Sequence, residues 1–124
     1  MRWLWVFVMG GAGALARVAL AGAFPVRALP WGTLLVNVAG CLAIGVLFTV
    51  FERERVLPLE WRVALVGGFL GGFTTYSAFG LELFTFVHEG EWMRGLLYAS
   101  SSLVLGVLAV FAGATLSQIV LDQL

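Results

Sequence analysis

The sequence predicts an all-α integral membrane protein with four transmembrane helices, the third of them broken near its middle. Of the 124 residues, 61% are hydrophobic and only 11% are charged, and the mean hydropathy is +1.02. An ordinary soluble domain carries about 25% charged residues. In addition, the chain contains four apolar stretches, and about 20 such residues suffice for a helix to span a bilayer.

The apolar stretches place the helices at about residues 3–24, 31–51, 63–87 and 96–121, within a single transmembrane domain covering residues 1–124. Pro25 and Pro30 frame the first loop, and charged segments form the other two. The first stretch opens with Arg2 like a secretory signal, but it is long enough to span and is interpreted as a helix. Tryptophans favour membrane interfaces, and they fall near the predicted helix ends: Trp3, Trp5, Trp31, Trp61 and Trp92.

Composition also excludes several classes of function. The formal net charge is zero and the seven basic residues form no basic run, so the electrostatic footprint of a nucleic-acid-binding protein is missing. Cys41 is the only cysteine and His88 the only histidine, which leaves no disulfide within the chain, no multi-cysteine metal site and no histidine-based triad. We therefore predict no enzymatic activity and no nucleic-acid partner.

The third apolar stretch contains the most informative segment, Gly71–Phe79, with the sequence GGFTTYSAF. Lipid offers no water to a loosened backbone, so paired glycines followed by hydroxyl residues must be buried in protein or line a polar cavity. An interrupted helix that forms an ion or substrate site satisfies this requirement. A glycine-rich packing surface whose hydroxyls bond to their own helix also satisfies it.

Polar residues recur on one face of the second helix and one face of the fourth. A spacing of four positions groups Thr33, Asn37 and Cys41, and likewise Tyr98, Ser102 and Gly106. In the third helix Tyr76 and Phe79 lie three positions apart. The amide of Asn37 can bridge helices or offer its NH2 group to an anion. Hydroxyls, one amide and aromatic ring edges suit a small hydrated anion, without distinguishing fluoride from chloride.

Two charges lie inside the predicted helices, Arg17 and Glu82. Both are nearer a helix end than its middle, so we expect their side chains to extend to the interface. The arginines are nearly balanced between the two sides of the membrane: four lie on the side of the termini and second loop, and three on or near the other. This weak bias is compatible with insertion in both orientations and with an antiparallel homodimer.

Three motifs together resemble the Fluc fluoride-channel family: Gly13–Arg17 (GALAR), Gly32–Gly40 (GTLLVNVAG) and Gly71–Phe79 (GGFTTYSAF). The resemblance extends to chain length, helix layout and motif order. It implies a dual-topology, antiparallel homodimer with two pores, through which fluoride leaves the cell passively across the cytoplasmic (inner) membrane.

The resemblance also implies site residues. It assigns the fluoride pore to Asn37, to the facing rings of Tyr76 and Phe79, and to Tyr98 and Ser102; Thr33 is added because it shares the face of Asn37. A structural sodium ion would be held at the dimer centre by the main-chain carbonyls of Gly71 and Thr74. Tyr76 stands where the family usually has Phe, which adds a phenol donor. We further expect Gly71 to need backbone dihedrals that only glycine adopts readily.

Two other functions fit the composition. The first is a small dual-topology exporter of organic cations or drugs, which would require an intramembrane carboxylate, and only Glu82 is available. The second is a structural subunit of a larger membrane complex, in which the glycines serve packing alone.

Overall fold

The computed structural model describes residues 1–24, 29–54 and 57–123, with only the backbone described for Glu54. These residues form helices and turns and contain no strand. The elements are α1 (Arg2–Gly22), α2 (Trp31–Glu54), α3 (Leu59–Val63), a π-helical segment (Ala64–Leu70), α4 (Gly71–Phe73), α5 (Tyr76–His88) and α6 (Trp92–Leu121). The predicted loop residues Pro25, Arg27 and Arg55 lie outside the described ranges.

Four spans are long and apolar enough to cross a membrane: Arg2–Gly22, Trp31–Arg53, Leu59–His88 and Trp92–Leu121. The prediction of an all-helical protein with four membrane-spanning helices is therefore confirmed. Helix α6 starts at Trp92, earlier than expected, because Gly90 adopts a positive φ of 75° and closes the preceding turn within a few residues. Helix α2 continues to Glu54 because Glu and Arg are good helix formers.

The third span is a composite of four pieces. The π-helical segment Ala64–Leu70 connects α3 to the single turn α4. The helix then breaks at two extended residues, Thr74 (φ −81°, ψ 157°) and Thr75 (φ −145°, ψ 118°), before α5 begins at Tyr76. The break therefore falls within the segment that the glycines and hydroxyl residues indicated.

Glycines set the distances at which the helices meet. A Cβ atom on Gly113 would collide with the Leu42 carbonyl, so α6 lies directly on the backbone of α2. A Cβ atom on Gly72 would collide with the Gly10 carbonyl, and one on Gly13 with the Phe69 carbonyl. Helix α1 is therefore in backbone contact with the third span, next to the break.

Candidate functional site

The side chain of Asn37 pairs with the backbone at the helix break. Its Oδ1 accepts the Thr75 N–H at 2.9 Å, and its Nδ2 donates to the Thr75 carbonyl at 3.1 Å. The Asn37 side chain therefore replaces both hydrogen-bond partners that the Thr75 backbone would have in a continuous helix. Of the two roles open to this amide, bridging helices is seen directly, and one of its two Nδ2 hydrogens has no acceptor among the described residues.

The break diverts two amide donors from the helix. In an α-helix the Thr75 N–H would bond the Gly71 carbonyl, and the Ala78 N–H would bond the Thr74 carbonyl. The Thr75 N–H instead goes to Asn37, and the Ala78 N–H goes to Thr75 Oγ1 at 3.2 Å, an N-cap of α5. The carbonyls of Gly71 and Thr74 are thus among those that lose their α-helical donors.

The prediction about the backbone of Gly71 is wrong. Gly71 has ordinary right-handed helical dihedrals, φ −62° and ψ −37°. A Cβ atom there would meet only the Val66 carbonyl, at 3.7 Å, which is a normal contact distance. The glycine that the fold requires is the next one, Gly72, because it touches the backbone of α1 at Gly10.

A row of aromatic rings runs from the break toward α6. The ring centroids of Tyr76 and Phe79 are 5.9 Å apart, and those of Phe79 and Tyr98 are 5.2 Å apart. The rings are tilted by 41° and 51°, so edges as well as faces are presented along the row. The structure therefore brings together the predicted residues Tyr76, Phe79 and Tyr98.

The row ends at a carboxylate that holds two hydroxyl groups. Thr33 Oγ1 donates to Glu82 Oε1 and the Tyr98 hydroxyl donates to Glu82 Oε2, each at 2.6 Å. Thr33 and Tyr98 are buried, with exposed fractions of 8% and 0%. Their hydrogens are therefore engaged by Glu82, and short hydrogen bonds of this kind to a carboxylate are strong.

Ser102 lies one helical turn beyond Tyr98 on the same face of α6. Its Oγ atom is buried and has no hydrogen-bond partner within the part of the chain that the structure describes. A buried hydroxyl without a partner costs about 1–3 kcal/mol, so such a group commonly serves a ligand or a water molecule.

An open cavity of about 390 Å³ on the surface of the chain is lined in part by the residues of the break and its partner: Asn37, Gly71, Thr74, Thr75 and Tyr76. The rest of its lining is mostly apolar. The Tyr76 side chain, 84% exposed, stands at its edge. The polar atoms of the break are thus accessible from one face of the chain.

Arg17 and Glu82 are the residues whose roles the sequence did not reveal: we expected both to extend to the interface, and the structure shows that each also bonds to other helices of the chain. Glu82 turns inward to Thr33 and Tyr98, while Arg17 Nε donates to the Gly72 carbonyl at 3.1 Å. Their rarity as charges inside apolar segments was the available signal, because intramembrane charges are usually functional.

These features define a small polytopic membrane protein with an interrupted helix whose polar atoms face a cavity, an architecture typical of ion and solute pathways. The family model described as "CrcB-like protein, Camphor Resistance (CrcB)" matches residues 4–114. The chain belongs to this family, as its three motifs indicated.

Curated relatives match nearly the full length of the chain. A protein of Solibacter usitatus named "Fluoride-specific ion channel FluC" is 44% identical, and the match covers 95% of this chain and 99% of the relative. Proteins with the same name from Acidobacterium capsulatum and Rhizobium etli are 40% and 43% identical, over 91% and 89% of this chain and 93% and 90% of theirs. These relatives are named as ion channels, which are not enzymes.

Proposed function

We propose that the protein is a fluoride-selective channel that lets fluoride leave the cell passively across the cytoplasmic (inner) membrane. The observation that carries the proposal is the row Tyr76–Phe79–Tyr98, which links the break at Asn37 to the buried hydroxyl of Ser102. We choose fluoride as the anion because the curated relatives are named fluoride-specific ion channels. The row offers ring edges and neutral donors, which can replace the water around a small anion without trapping it by a full opposite charge.

The hydrogen bonds of the protomer suggest which donors serve fluoride. Thr33 and Tyr98 already donate to Glu82, so their hydrogens are engaged. Among the predicted pore residues that the structure describes, the hydrogens that remain are the second one on Asn37 Nδ2, that of the Tyr76 phenol and that of Ser102. We assign first contact with fluoride to Asn37 and Ser102, and assign ring-edge contact to Tyr76 and Phe79. Thr33 and Tyr98 contribute when fluoride competes with the Glu82 carboxylate for their hydrogens.

The exposed polar atoms of the break suggest that a second copy of the chain packs against the break and buries them. Gly71 is exposed and its carbonyl has lost its α-helical donor, yet a lone protomer would present this surface to lipid. Lipid cannot satisfy such groups. An antiparallel homodimer, with one row of rings in each protomer and hence two pores, would bury them, and the nearly balanced arginines permit both orientations.

Dual topology can be tested by labelling the C-terminus. We expect a C-terminal tag to be accessible from both sides of the membrane in one population, because the arginine bias is weak. Protease protection in sealed vesicles, with a tagged protein of known single orientation as control, measures the two fractions. A single orientation that persists after arginines are added to either end would refute the antiparallel dimer.

The carbonyls of Gly71 and Thr74 fit a sodium ion. Their α-helical amide donors are diverted to Asn37 and to Thr75 Oγ1, and neutral oxygen ligands suit a hard cation. Two copies of the break meeting at a dimer axis would supply the four oxygens of such a site. The ion would offset repulsion between the carbonyl dipoles and add positive potential near the anion pathway.

A crystal grown with a heavier monovalent cation in place of sodium tests this site. We expect one anomalous scattering peak at the dimer axis, between the Gly71 and Thr74 carbonyls of the two protomers. Retained fluoride flux by the substituted protein is the control that the native arrangement persists. An active, fully substituted crystal without a central peak would contradict the sodium assignment.

Transport by purified protein in liposomes tests the proposed function against the other two. We expect fluoride loaded as its potassium salt to be released once valinomycin compensates the charge, and a loaded organic cation to be retained. Proton-driven movement of the organic cation would indicate an exporter, whose essential carboxylate would be Glu82. Retention of both solutes by correctly inserted protein would indicate a structural subunit.

A further inference from the structure

The intramembrane residue Arg17 has a bond that the proposed pathway does not use. Its Nε donates to the Gly72 carbonyl, 55 positions away in the sequence, at 3.1 Å. The side chain is half-buried, and within the described residues the ion pairs are Arg53–Asp122 and Arg94–Glu91, so no carboxylate there neutralises Arg17. A charge inside an apolar helix is costly, and its partner is therefore informative about its role.

The partner carbonyl lies at the C-terminal end of α4, directly before the break. In an unbroken helix the Gly72 carbonyl would accept from Tyr76, which instead begins α5 after the two extended threonines. The last carbonyls of a helix carry partial negative charge, and an arginine there satisfies both the charge and the hydrogen bond. Arg17 thus caps the helix fragment that ends at the break.

Helix α1 is fixed close to this fragment by its glycines. Gly72 touches the backbone at Gly10, and a Cβ atom on Gly13 would lie 2.9 Å from the Phe73 nitrogen. Arg17 follows Gly13 by one helical turn, so its side chain reaches along α1 to the same fragment. The glycines let the two helices approach to backbone contact, while the Arg17 hydrogen bond holds the fragment against α1.

We propose that Arg17 is a positioning residue that fixes the end of α4, and with it the Gly71 and Thr74 carbonyls on either side of Gly72. The Nε–H group, which donates to the Gly72 carbonyl, contributes more to holding the end of α4 than the positive charge does. The significance of the positioned carbonyls rests on the proposed function, whereas the hydrogen bond itself does not.

Three substitutions of Arg17 separate the effect of its hydrogen bond from the effect of its charge. In Arg17→Gln the amide NH2 is the same number of bonds from Cα as Nε, so a neutral donor is retained. In Arg17→Lys the charge is retained, but a methylene replaces Nε. Arg17→Met places a methyl group at that position and removes both donor and charge. The side chains otherwise extend to similar lengths.

Hydrogen exchange of the segment 71–79 in nanodiscs, followed by mass spectrometry, measures whether the break is held. We expect Arg17→Met to speed exchange of this segment about tenfold, the effect of losing one charge-assisted hydrogen bond. Arg17→Gln should remain within about twofold of the unmodified protein, because a neutral donor retains most of the bond. Arg17→Lys should resemble Arg17→Met, and a segment of α6 such as 103–111 should be unchanged in all three.

The opposite order overturns the proposal. If Arg17→Lys retains protection while Arg17→Gln loses it, the charge is the essential property. If all three variants exchange like the unmodified protein, or if all three lose protection, the ε donor does not hold the break. When Arg17→Met fails to insert, the comparison of Gln with Lys still decides the matter. Fluoride flux measured alongside separates the two proposals, since the exchange result stands even if the unmodified protein carries no fluoride.

Discussion

Replacing Asn37 with Asp is expected to abolish fluoride flux. The acid can still accept the Thr75 N–H, but its second oxygen would face the Thr75 carbonyl, where Nδ2 now donates at 3.1 Å. The change also puts a negative charge where an anion is proposed to pass. Two negative charges about 4 Å apart repel by about 4 kcal/mol at an effective dielectric constant of about 20, which corresponds to a decrease of about 1,000-fold in flux.

Gln118→Glu is the matched control, because it makes the same change from amide to acid at an exposed position near the end of α6. We expect its flux to equal that of the unmodified protein. The comparison is made by measuring fluoride flux from proteoliposomes. Equal elution of both variants in size-exclusion chromatography checks that they assemble alike. Undiminished flux through the Asn37→Asp variant would remove Asn37 from the pathway and from the support of the break.

Replacing Gly72 with Ala is expected to have the second-largest effect. A methyl group there would collide with the Gly10 carbonyl, and backbone atoms cannot yield as a flexible side chain can. Helix α1 would have to move away from α4, which also stretches the Arg17 hydrogen bond to the Gly72 carbonyl. Overpacking costs about 1–3 kcal/mol, which corresponds to about 10- to 100-fold in flux when the displaced element is the site itself.

Gly67→Ala provides the control for this prediction. Gly67 lies in the same span, and an added Cβ atom would meet only Val63 Cγ1, at 4.0 Å. We expect its flux and its thermal unfolding in detergent to remain close to those of the unmodified protein. Equal behaviour of the two alanine variants would show that the close contact between α1 and α4 does not support the site.

The predictions that depended on local composition agree with the structure. Apolar length defined the four spans, and the glycine and hydroxyl residues of Gly71–Phe79 located the break, because lipid imposes both requirements directly. The pairing of Tyr76 with Phe79 followed from helical spacing alone.

Features that depend on how helices pack could not be predicted. Arg17 bonds to Gly72, which is 55 positions away in the sequence. Glu82 bonds to Thr33 and to Tyr98, which are 49 and 16 positions away. Nothing local distinguishes Gly71 from Gly72; the difference arises because α1 lies against Gly72. The π-helical segment Ala64–Leu70 was also missed, since an apolar run with two glycines gives no periodic signal that separates it from an α-helix.

The central claim is passive, electrogenic transport of fluoride, and efflux from potassium fluoride-loaded liposomes measures it most directly. Through a channel, fluoride leaves only as fast as charge is compensated, so release into low-fluoride buffer should begin when valinomycin lets potassium follow. Liposomes loaded with chloride should retain it under the same conditions. Fluoride release that needs no valinomycin and instead follows an imposed pH gradient, or no release from correctly inserted protein, would contradict the account.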